Sequence, residues 1–390
     1  MKILRVIQTA DPELGGPIEG IKQLDASAKQ LGHHVEICCL DRPDAPWIAN
    51  FTLPIHTLGP TLGNYGYNKR LVPFLEQNVS RFDVVIVHGV WQSHSFDTWR
   101  TLRLKNTPYV VFTHGMLDPW FQRAYPLKHL KKLLYWPFEY RVLRDAAAVL
   151  FTSEDERISA RHSFPMYRAN EIVVNYGTKG PDSDANKLSS LFFERFPELQ
   201  GKRLCLFLGR IHFKKGCDLA IEAFAETMAK SSDWHFVLAG PDRTGWQPAL
   251  AKLAKELNIA ERTTFAGMLS GDLKWGAFHA AEVFYLPSHQ ENFGIAVAEA
   301  LACGLPVLIS NKVNIWREVE ESNAGLVEPD HLAGSISLLT RWLNLPTLEK
   351  LRMRKNAVDC FTRHFEIEAA RRSLYSTLES VVHKGSLVHA

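Results

Sequence analysis

The sequence lacks the features that mark membrane-spanning and nucleic-acid-binding proteins. No apolar run approaches the 18 residues that a membrane-spanning helix requires. An excess of one charge is also missing, since 45 lysines and arginines face 42 aspartates and glutamates and leave a net charge of +3. Because this small excess is spread evenly along the chain, we expect no nucleic acid partner.

Cysteine is scarce and shows no spacing typical of metal ligation. The six cysteines are residues 38, 39, 205, 217, 303 and 360, and several lie in apolar runs that resemble strands. We expect reduced thiols in the protein core, which favours a cytoplasmic location. The apolar run near the N-terminus is too short for a signal peptide, and Asp11 follows it at once.

What the sequence does contain is the composition of a large globular protein. It has 390 residues, of which 46% are apolar and 22% charged, and this predicts two or three domains with sizeable cores. Short apolar runs alternate with helical patterns, which predicts parallel sheets covered by helices on both faces. The expected fold class is therefore α/β, with two doubly wound domains that face each other across a cleft.

The predicted strands divide the chain. They are 3–9, 35–40, 84–87, 110–113, 149–152 and 172–175 in the first domain, and 204–208, 236–239, 264–265, 283–286, 307–309 and 325–327 in the second. The first domain is predicted to span 1–178, and the polar segment 179–202 to be a linker. The second domain is predicted to span 203–365. The helical segment 366–390 has no strand partner, and we expect it to pack back on the first domain.

The stretch from Ser288 to Ser310 predicts a binding site at the end of a strand. An apolar strand ends at Pro287, a polar loop follows, and an alanine-rich helix begins after Gly294. Free backbone N–H groups at such a helix start, here near Asn292 and Phe293, favour anions.

Two carboxylates accompany this loop. Glu291 lies within it, and Glu299 lies eight residues further on, roughly 12 Å along a helix. Such a pair suits the two ends of an elongated polar ligand, such as the sugar and the ribose of a nucleotide sugar. The alternative is a solvated Glu299 and a Glu291 that caps its helix.

A second loop supplies cations. The segment GRIHFKKG, from Gly209 to Gly216, directly follows the first predicted strand of the second domain. Arg210 and Lys215 would therefore reach the same carboxyl edge of the sheet as Glu291. Two cations there would bind a diphosphate and neutralise the charge that grows on it as it leaves. The alternative is a solvated basic turn.

The first domain offers weaker signals. His88 and His114 each follow a predicted strand directly, which puts them at the carboxyl edge of the sheet, although a lone histidine is more often structural. Gly15 and Gly16 follow the first strand and would let the backbone approach a phosphate or sugar closely. A tight turn explains this glycine pair equally well.

Two further segments have open interpretations. The basic, aromatic segment 123–144 suits either an anionic membrane surface or an outer helix whose aromatic side chains are core, and the outer helix is preferred. Asp182 and Asp184 form an Asp-x-Asp pair, which some transferases use to hold a divalent metal. Because this pair follows a Gly-Pro turn, a solvated loop is the better interpretation.

Together these motifs resemble a known family. The segments GRIHFKKG and ENFGIAVAE, with the early GGP loop, resemble the retaining glycosyltransferase family 4, which has the GT-B fold. The resemblance spans most of the chain and is more specific in the second domain. It implies transfer of a hexose with retention of configuration and without a metal or cofactor. The first domain would bind the acceptor, and the second domain would bind the nucleotide sugar.

The resemblance also implies roles for individual residues. Arg210 and Lys215 would hold the diphosphate, Glu291 would contact the donor sugar hydroxyls, and His114 would lie near the anomeric carbon and O6 of the sugar. These four are the predicted catalytic residues. The predicted substrate-binding residues are Gly15 and Gly16, in a loop that closes over the phosphates, Asn292, Phe293 and Gly294, and Glu299, which would bind the ribose. His88 would lie nearer the acceptor pocket, without an assigned role.

The motif THGMLDPW resembles family members that build bacterial exopolysaccharide or O-antigen units. This implies a glycan or lipid-linked acceptor and allows peripheral contact with the inner membrane face through segment 123–144. A UDP-hexose such as UDP-glucose is the first expected donor, followed by GDP-sugars. Two alternatives stay open: a non-hydrolysing nucleotide-sugar epimerase of the same layout, and a non-catalytic nucleotide-sugar binding subunit.

Overall fold

The chain folds as two compact units, each built on one parallel sheet. A computed structural model describes residues 1–12, 16–231 and 233–388. The first unit comprises Met1–Tyr176 together with the segment that begins at Ile367, and the second unit comprises Gly177–Glu366. The predicted α/β class with two doubly wound domains is confirmed.

The first unit contains seven strands in the order β3-β2-β1-β4-β5-β6-β7. These strands are β1 (Lys2–Ile7), β2 (His34–Cys39), β3 (Ile55–Thr57), β4 (Val84–His88), β5 (Tyr109–Phe112), β6 (Ala148–Phe151) and β7 (Glu171–Val173). Its first six helices are α1 (Gly16–Asp25), α2 (Leu71–Asn78), α3 (Ser93–Leu102), α4 (Trp120–Ala124), α5 (Pro126–Arg144) and α6 (Glu154–Arg161). The central strands β4, β5 and β6 are buried along their whole length, which explains their nearly continuous apolar sequences.

The second unit contains six strands in the order β10-β9-β8-β11-β12-β13. They are β8 (Arg203–Leu208), β9 (Trp234–Ala239), β10 (Thr263–Gly267), β11 (Val283–Leu286), β12 (Val307–Ser310) and β13 (Gly325–Glu328). Its helices are α7 (Ala185–Arg195), α8 (Cys217–Glu226), α9 (Gln247–Glu256), α10 (Gly271–Ala280), α11 (Ile295–Ala302), α12 (Trp316–Glu321), α13 (Leu332–Asn344) and α14 (Thr347–Cys360). A π-helical turn, Phe361–Phe365, follows α14.

The strand order reverses once in each sheet, between β1 and β4 in the first and between β8 and β11 in the second. In doubly wound sheets, ligands bind outside the carboxyl ends of the strands at this reversal. The loops after these four strands are therefore the places where a site is expected.

The final helix, α15 (Ile367–Val388), belongs to the first unit and packs on α1. The buried Arg371 guanidinium donates hydrogen bonds to the carbonyl oxygens of Leu24 (2.8 Å) and Gln23 (2.9 Å). These carbonyls lie in the last turn of α1, where the negative end of the helix dipole attracts a cation.

Residues 179–202 are not a linker, as the sequence analysis predicted, but part of the second unit. The Asp184 carboxylate caps α7 by accepting hydrogen bonds from the N–H groups of Asn186 (2.9 Å) and Lys187 (3.2 Å). Leu188 and Phe192 of α7 are buried where this helix packs against α10. The polar residues that suggested a linker are the exposed face of this helix. Asp184 is thus a helix cap, and the exposed Asp182 pairs with Lys179 (2.7 Å).

Strand β3 was not predicted. It has three residues, lies at the edge of the sheet and is only half-buried, so it lacks a long apolar run. The cysteine prediction is confirmed in its structural part, since all six are free thiols, five of them buried and Cys303 half-buried. Across the described ranges, every helix is too short or too polar to cross a bilayer.

The basic segment 123–144 contains the whole of α5 and has a mixed surface. Trp136 is buried, as the preferred interpretation requires, but Tyr135 and Phe138 are exposed. Three leucines of the same helix, Leu127, Leu130 and Leu134, are 83%, 62% and 75% exposed. The outer-helix interpretation therefore accounts for only part of this segment.

Candidate functional site

The loop after β8 carries Lys215 into the interior of the second unit. The Nδ1 atom of His212 accepts a hydrogen bond from the N–H group of Lys214 (3.1 Å) and starts a short 3-10 turn. Gly216 then adopts a left-handed conformation (φ 66°) and begins α8. Lys215 is only 8% exposed, so the alternative of a solvated basic turn is wrong for this residue.

The loop after β11 brings Glu291 to Lys215. The backbone N–H group of His289 donates a hydrogen bond to the carbonyl oxygen of Lys214 (2.8 Å), which ties the two loops together. The backbone N–H group of Glu291 donates a hydrogen bond to the carbonyl oxygen of Lys312 (2.9 Å), which fixes this loop to the segment after β12 as well. As a result, the Glu291 carboxylate contacts the Lys215 ammonium group.

Glu291 is not the N-cap residue of α11, in contrast to the alternative interpretation in which Glu291 caps this helix. The residue that precedes α11 is Gly294, which has a φ of 80° and forms no side-chain cap. The Phe293 ring is buried and packs edge to face on Phe365, with 5.7 Å between the ring centroids. The Phe293 side chain therefore has a packing role.

The charge balance of this cluster favours an anion. Burial lowers the pKa of Lys215 well below its ordinary value, and the nearby charges of Lys214 and Arg210 lower it further. The contact with the Glu291 carboxylate acts in the opposite direction, since a nearby opposite charge favours the charged ammonium group. The loop carries three cations, Arg210, Lys214 and Lys215, and the Glu291 carboxylate contacts Lys215, so a phosphate group would find further positive charge here.

The second carboxylate, Glu299, is buried in α11 and is 4% exposed. Its Oε1 atom lies 2.6 Å from the Nζ atom of Lys274 on α10. The alternative of a solvated Glu299 is therefore wrong. Sequence reasoning missed Lys274, because a single lysine on a helix without a motif gives no signal.

In the first unit, His114 lies on a cavity of about 230 Å³ at the reversal point of the sheet. The cavity is lined by Ile7, Gln8, Thr9, Asp11, Pro17, Ile18, His88, Gln92, His114 and Met116. Gly16 is the first residue of α1, close in sequence to Pro17 and Ile18. Gly15 falls outside the described residues.

The two predicted histidines contact each other. The Nδ1 atom of His88 lies 2.9 Å from the Nε2 atom of His114, and the Nη1 atom of Arg5 lies 3.1 Å from the Nε2 atom of His88. Burial and the charge of Arg5 lower the pKa of His114 to about 3 and that of His88 well below its ordinary value. Both rings are therefore neutral at physiological pH.

A buried carboxylate shapes the backbone around His114, which has a φ of 49°. One oxygen of Glu156 accepts hydrogen bonds from the Gly115 N–H group (2.6 Å) and the Thr113 hydroxyl (2.7 Å). The other oxygen accepts from the Thr152 N–H group (2.8 Å). This residue anchors the loop after β5 to the start of α6.

Sequence reasoning also missed Arg5, although a signal was present. The first strand reads KILRVI, and Arg5 is a single charge inside a run whose neighbours are all buried. A buried arginine needs a partner, and Asp25 supplies it at 2.5 and 2.8 Å. The charge of Arg5 within an apolar strand was thus a signal for a buried polar network, which the apolar pattern of the strand does not show.

The structure thus brings Arg210, Lys215 and Glu291 together in the second unit, with Glu299 buried on the helix that follows. His114 belongs to the first unit, where it pairs with His88. Within the described parts of the chain, no group of three or more histidine, cysteine, aspartate or glutamate residues is arranged to hold a metal ion.

Two protein families match the chain. Glycosyl transferases group 1 matches residues 191–358, and the glycosyl transferase 4-like domain matches residues 15–177. Both are families of glycosyltransferases, and together they cover most of the sequence. The chain belongs to the group 1 glycosyl transferases.

Curated relatives are named for glycosyl transfer. Alpha-D-kanosaminyltransferase from Streptomyces kanamyceticus is 27% identical over 235 residues, 60% of this chain and 60% of that protein. The 2-deoxystreptamine N-acetyl-D-glucosaminyltransferase from Niallia circulans is 31% identical over 199 residues, 48% of this chain and 49% of that protein. The matched region therefore spans from about half to 60% of these relatives.

The fold has a close counterpart among solved structures. Anabaena HepE, solved in complex with UDP and glucose, matches with a TM-score of 0.79 at 18% identity. The match covers 97% of this chain and 100% of that chain. A likeness at this identity shows the fold alone, and it confirms the GT-B assignment that the resemblance implied.

We expect the loop that carries Lys215 to depend on glycine at position 216. An added Cβ atom at Gly216 would lie 2.3 Å from the carbonyl oxygen of Pro287, and the residue has a positive φ. Gly216→Ala should lower the free energy of unfolding by the cost of a left-handed conformation, about 1–2 kcal/mol, plus roughly 1–3 kcal/mol for the clash. Urea unfolding of the purified protein measures the loss.

The matched control is Gly201→Ala. Gly201 has a similar φ of 79°, but nothing lies within 4 Å of an added Cβ atom. This variant should lose only the conformational part. Equal losses in the two variants would show that the contact with Pro287 does not constrain the loop.

Proposed function

We propose that this protein is a retaining, metal-independent glycosyltransferase that moves a hexose from a UDP-sugar to a glycan or lipid-linked acceptor. The observation that carries the proposal is the buried Lys215, held against Glu291 beside Arg210 at the reversal point of the second sheet. Membership of the group 1 glycosyl transferases supports the reaction class. The likeness to HepE, solved with UDP and glucose, supports UDP-glucose as the first donor to test.

The cations would bind the diphosphate of the donor. Lys215 and Arg210 both lie on the loop that precedes α8, and a phosphate here would also meet N–H groups at the helix start. As the bond from the sugar to the diphosphate breaks, negative charge grows on the leaving oxygen. Fixed cations stabilise this charge, and the burial of Lys215 strengthens its part of the interaction.

The two carboxylates would hold opposite ends of the donor. Glu291 would accept hydrogen bonds from the sugar hydroxyls, and its contact with Lys215 would place the sugar next to the diphosphate. Glu299 would accept from the ribose hydroxyls. Because Lys274 already balances its charge, Glu299 is a fixed acceptor and a poor base.

The chemical step needs no nucleophilic side chain. The acceptor hydroxyl attacks the anomeric carbon from the face that the diphosphate leaves, so that configuration is retained. The bond to the acceptor oxygen forms while the bond to the phosphate oxygen breaks, and its electron pair stays with the diphosphate. The hydroxyl proton passes to the departing phosphate oxygen.

The surface of α5 supports a lipid-linked acceptor and an association with a membrane surface. The exposed leucines 127, 130 and 134 recur at helical spacing and so share one face of α5. Lys128 and Lys131 are exposed beside them. An apolar stripe flanked by cations suits the boundary of an anionic bilayer. Bacterial exopolysaccharide or O-antigen assembly is the process this combination fits.

Arg210→Ala and Lys215→Ala should each lower turnover about a hundredfold or more, since losing one such interaction costs about 3 kcal/mol. Initial rates with UDP-glucose and with a panel of UDP- and GDP-hexoses measure the effect. Arg352→Ala, which truncates a 63% exposed side chain in the same unit, should leave the rate unchanged. Turnover near that of the wild type in both site variants would contradict the assignment.

The anomeric configuration of the product tests the mechanism. We expect NMR of the product to show the configuration of the donor, and we expect activity to persist in EDTA. An inverted product would exclude the proposed step, and activity that EDTA abolishes and magnesium restores would exclude metal independence. Donor incubated without acceptor should stay unchanged, whereas an epimerase would convert it and a binding subunit would transfer nothing.

Replacing Leu127, Leu130 and Leu134 together by serine should weaken binding to vesicles that contain anionic phospholipid by roughly tenfold or more, because each exposed leucine contributes apolar area. Co-sedimentation with vesicles measures the binding. Leu104→Ser is the matched control, since Leu104 is 77% exposed in the same unit but lies outside α5. Unchanged binding of the triple variant would rule out this surface.

A further inference from the structure

A chain of buried polar side chains leads to His114 in the first unit. The Tyr375 hydroxyl lies 3.0 Å from Asp25 Oδ1, and Asp25 accepts two hydrogen bonds from Arg5. Arg5 then contacts His88 at 3.1 Å, and His88 contacts His114 at 2.9 Å. The chain thus links α15, α1, β1 and β4 to the loop after β5.

The chemistry of arginine sets the direction of the hydrogen bonds that run from Arg5 through His88 to His114. A guanidinium group has only donors, so the Nε2 atom of His88 must accept from Arg5 and carries no proton. The neutral His88 ring then holds its proton on Nδ1 and donates it to the Nε2 atom of His114. That atom is therefore an acceptor as well, and the proton of the neutral His114 ring resides on Nδ1.

Arg5 stays protonated and therefore remains a hydrogen-bond donor to His88. Burial acts to lower its pKa, but the charge of Asp25 and the hydrogen bonds to it prevail and raise the pKa above its ordinary value. The two oxygens of Asp25 accept from Nε and Nη2 of Arg5, which leaves Nη1 directed at His88. The Arg5–Asp25 pair is completely buried, so solvent does not compete for these bonds.

We propose that Arg5 and His88 are positioning residues that fix His114 as the neutral Nδ1–H tautomer, so that His114 donates a hydrogen bond to a substrate oxygen and does not act as a base. The inference deepens the proposed glycosyl transfer and rests on it for the identity of the substrate. A sugar oxygen with a free lone pair is the kind of atom that this donor suits. His114 lines the cavity, and its Nε2 atom is already used by His88, so Nδ1–H is the ring's donor to a bound ligand.

The chain ends in a cation, and this makes it a poor path for protons. In a serine protease triad, a carboxylate faces the histidine and stabilises the imidazolium ion. Here a proton that reached Nε2 of His114 would displace the bond from His88 and create a second positive charge near Arg5. The proton of the acceptor hydroxyl therefore has no stable destination on His114, which agrees with its transfer to the leaving phosphate.

Other groups around the two histidine rings do not change the direction of these hydrogen bonds. The titratable groups near the chain are His94, Glu156, Asp11, Tyr176 and Tyr375. The Nε2–H group of His94 donates to the His88 carbonyl oxygen (2.8 Å), and Glu156 is occupied by the backbone and hydroxyl donors around His114. Both interactions involve the backbone or neighbouring residues and leave the ring nitrogens of His88 and His114 to the chain itself.

The ring nitrogens can be observed directly in the full-length protein labelled with ¹⁵N-histidine. Long-range ¹H–¹⁵N correlation spectra distinguish the two neutral tautomers from the imidazolium ion, and the variants His88→Gln and His114→Gln assign the signals. We expect both rings to carry the proton on Nδ1, unchanged from pH 8 to pH 5.5. An Nε2–H tautomer on either ring, or titration of His114 near pH 6.5, would overturn the proposal.

A double variant tests the part of Arg5. Arg5→Gln with Asp25→Asn removes the buried cation without leaving its partner unpaired. Since Arg5 adds to the effect of burial in lowering the pKa of His114, its loss should raise that pKa, so the ring should gain a proton at a higher pH than in the wild type. Tyr375→Phe, the matched control, keeps the contact between Arg5 and His88 and should keep the wild-type tautomers. If the double variant does not fold, the tautomers observed in the wild-type spectrum still test the proposal.

The spectra and the transfer assay separate the two hypotheses. The predicted tautomers in a protein that transfers no sugar would refute the proposed function and leave the tautomer assignment standing. Normal transfer with an Nε2–H ring at His114 would refute the tautomer assignment and leave the function standing. In the double variant, the loss of transfer activity on acidification should begin at a higher pH than in the wild type, which should show no histidine ionisation in its rate profile between pH 5.5 and pH 8.

Discussion

The contact between Lys215 and Glu291 is the interaction on which the second unit's site depends. It joins two loops that leave different strands on either side of the reversal point, and the hydrogen bond from His289 to Lys214 ties their backbones in the same place. A lysine buried without a carboxylate would lose its charge, and a carboxylate buried without a lysine would gain a proton. Each residue therefore favours the ionised state of the other.

The first unit also contains a buried ion pair, but there the pair keeps its neighbours neutral. Its buried pair, Arg5 and Asp25, lies one step behind the histidines, and the cation of the pair faces them. The rings are kept neutral by this cation and by burial. Two sheets of the same topology thus present different chemistry at the same edge, charged groups in one case and a neutral donor in the other.

The buried strands were the most predictable part of the fold. All six strands of the second sheet were predicted, and β9, β11 and β12 gave the clearest signal because they are buried along their whole length and read as apolar runs. The edge strand β3 and the helix α7 were missed for a common reason. Each buries only part of its surface, so its sequence resembles that of a loop.

The site was predictable where residues that act together are close in sequence. Arg210 and Lys215 share one loop, and Glu291 follows a strand in a recognisable strand, loop and helix unit. The partners that set their environment come from distant positions: Lys274 reaches Glu299 from another helix, and Asp25 reaches Arg5 across the interior. Sequence patterns report periodicity and local order, and they carry little information about which side chain of another element completes a buried charge.

The return of α15 to the first unit has a consequence for how the chain is made. Tyr375 contacts Asp25, 350 residues earlier, and Arg371 binds the end of α1. The second unit is continuous in sequence and can assemble as soon as Gly177–Glu366 has left the ribosome. The first unit, although its sheet is synthesised first, must wait for residues that are made after the second unit is complete, so the order of synthesis is not the order of completion.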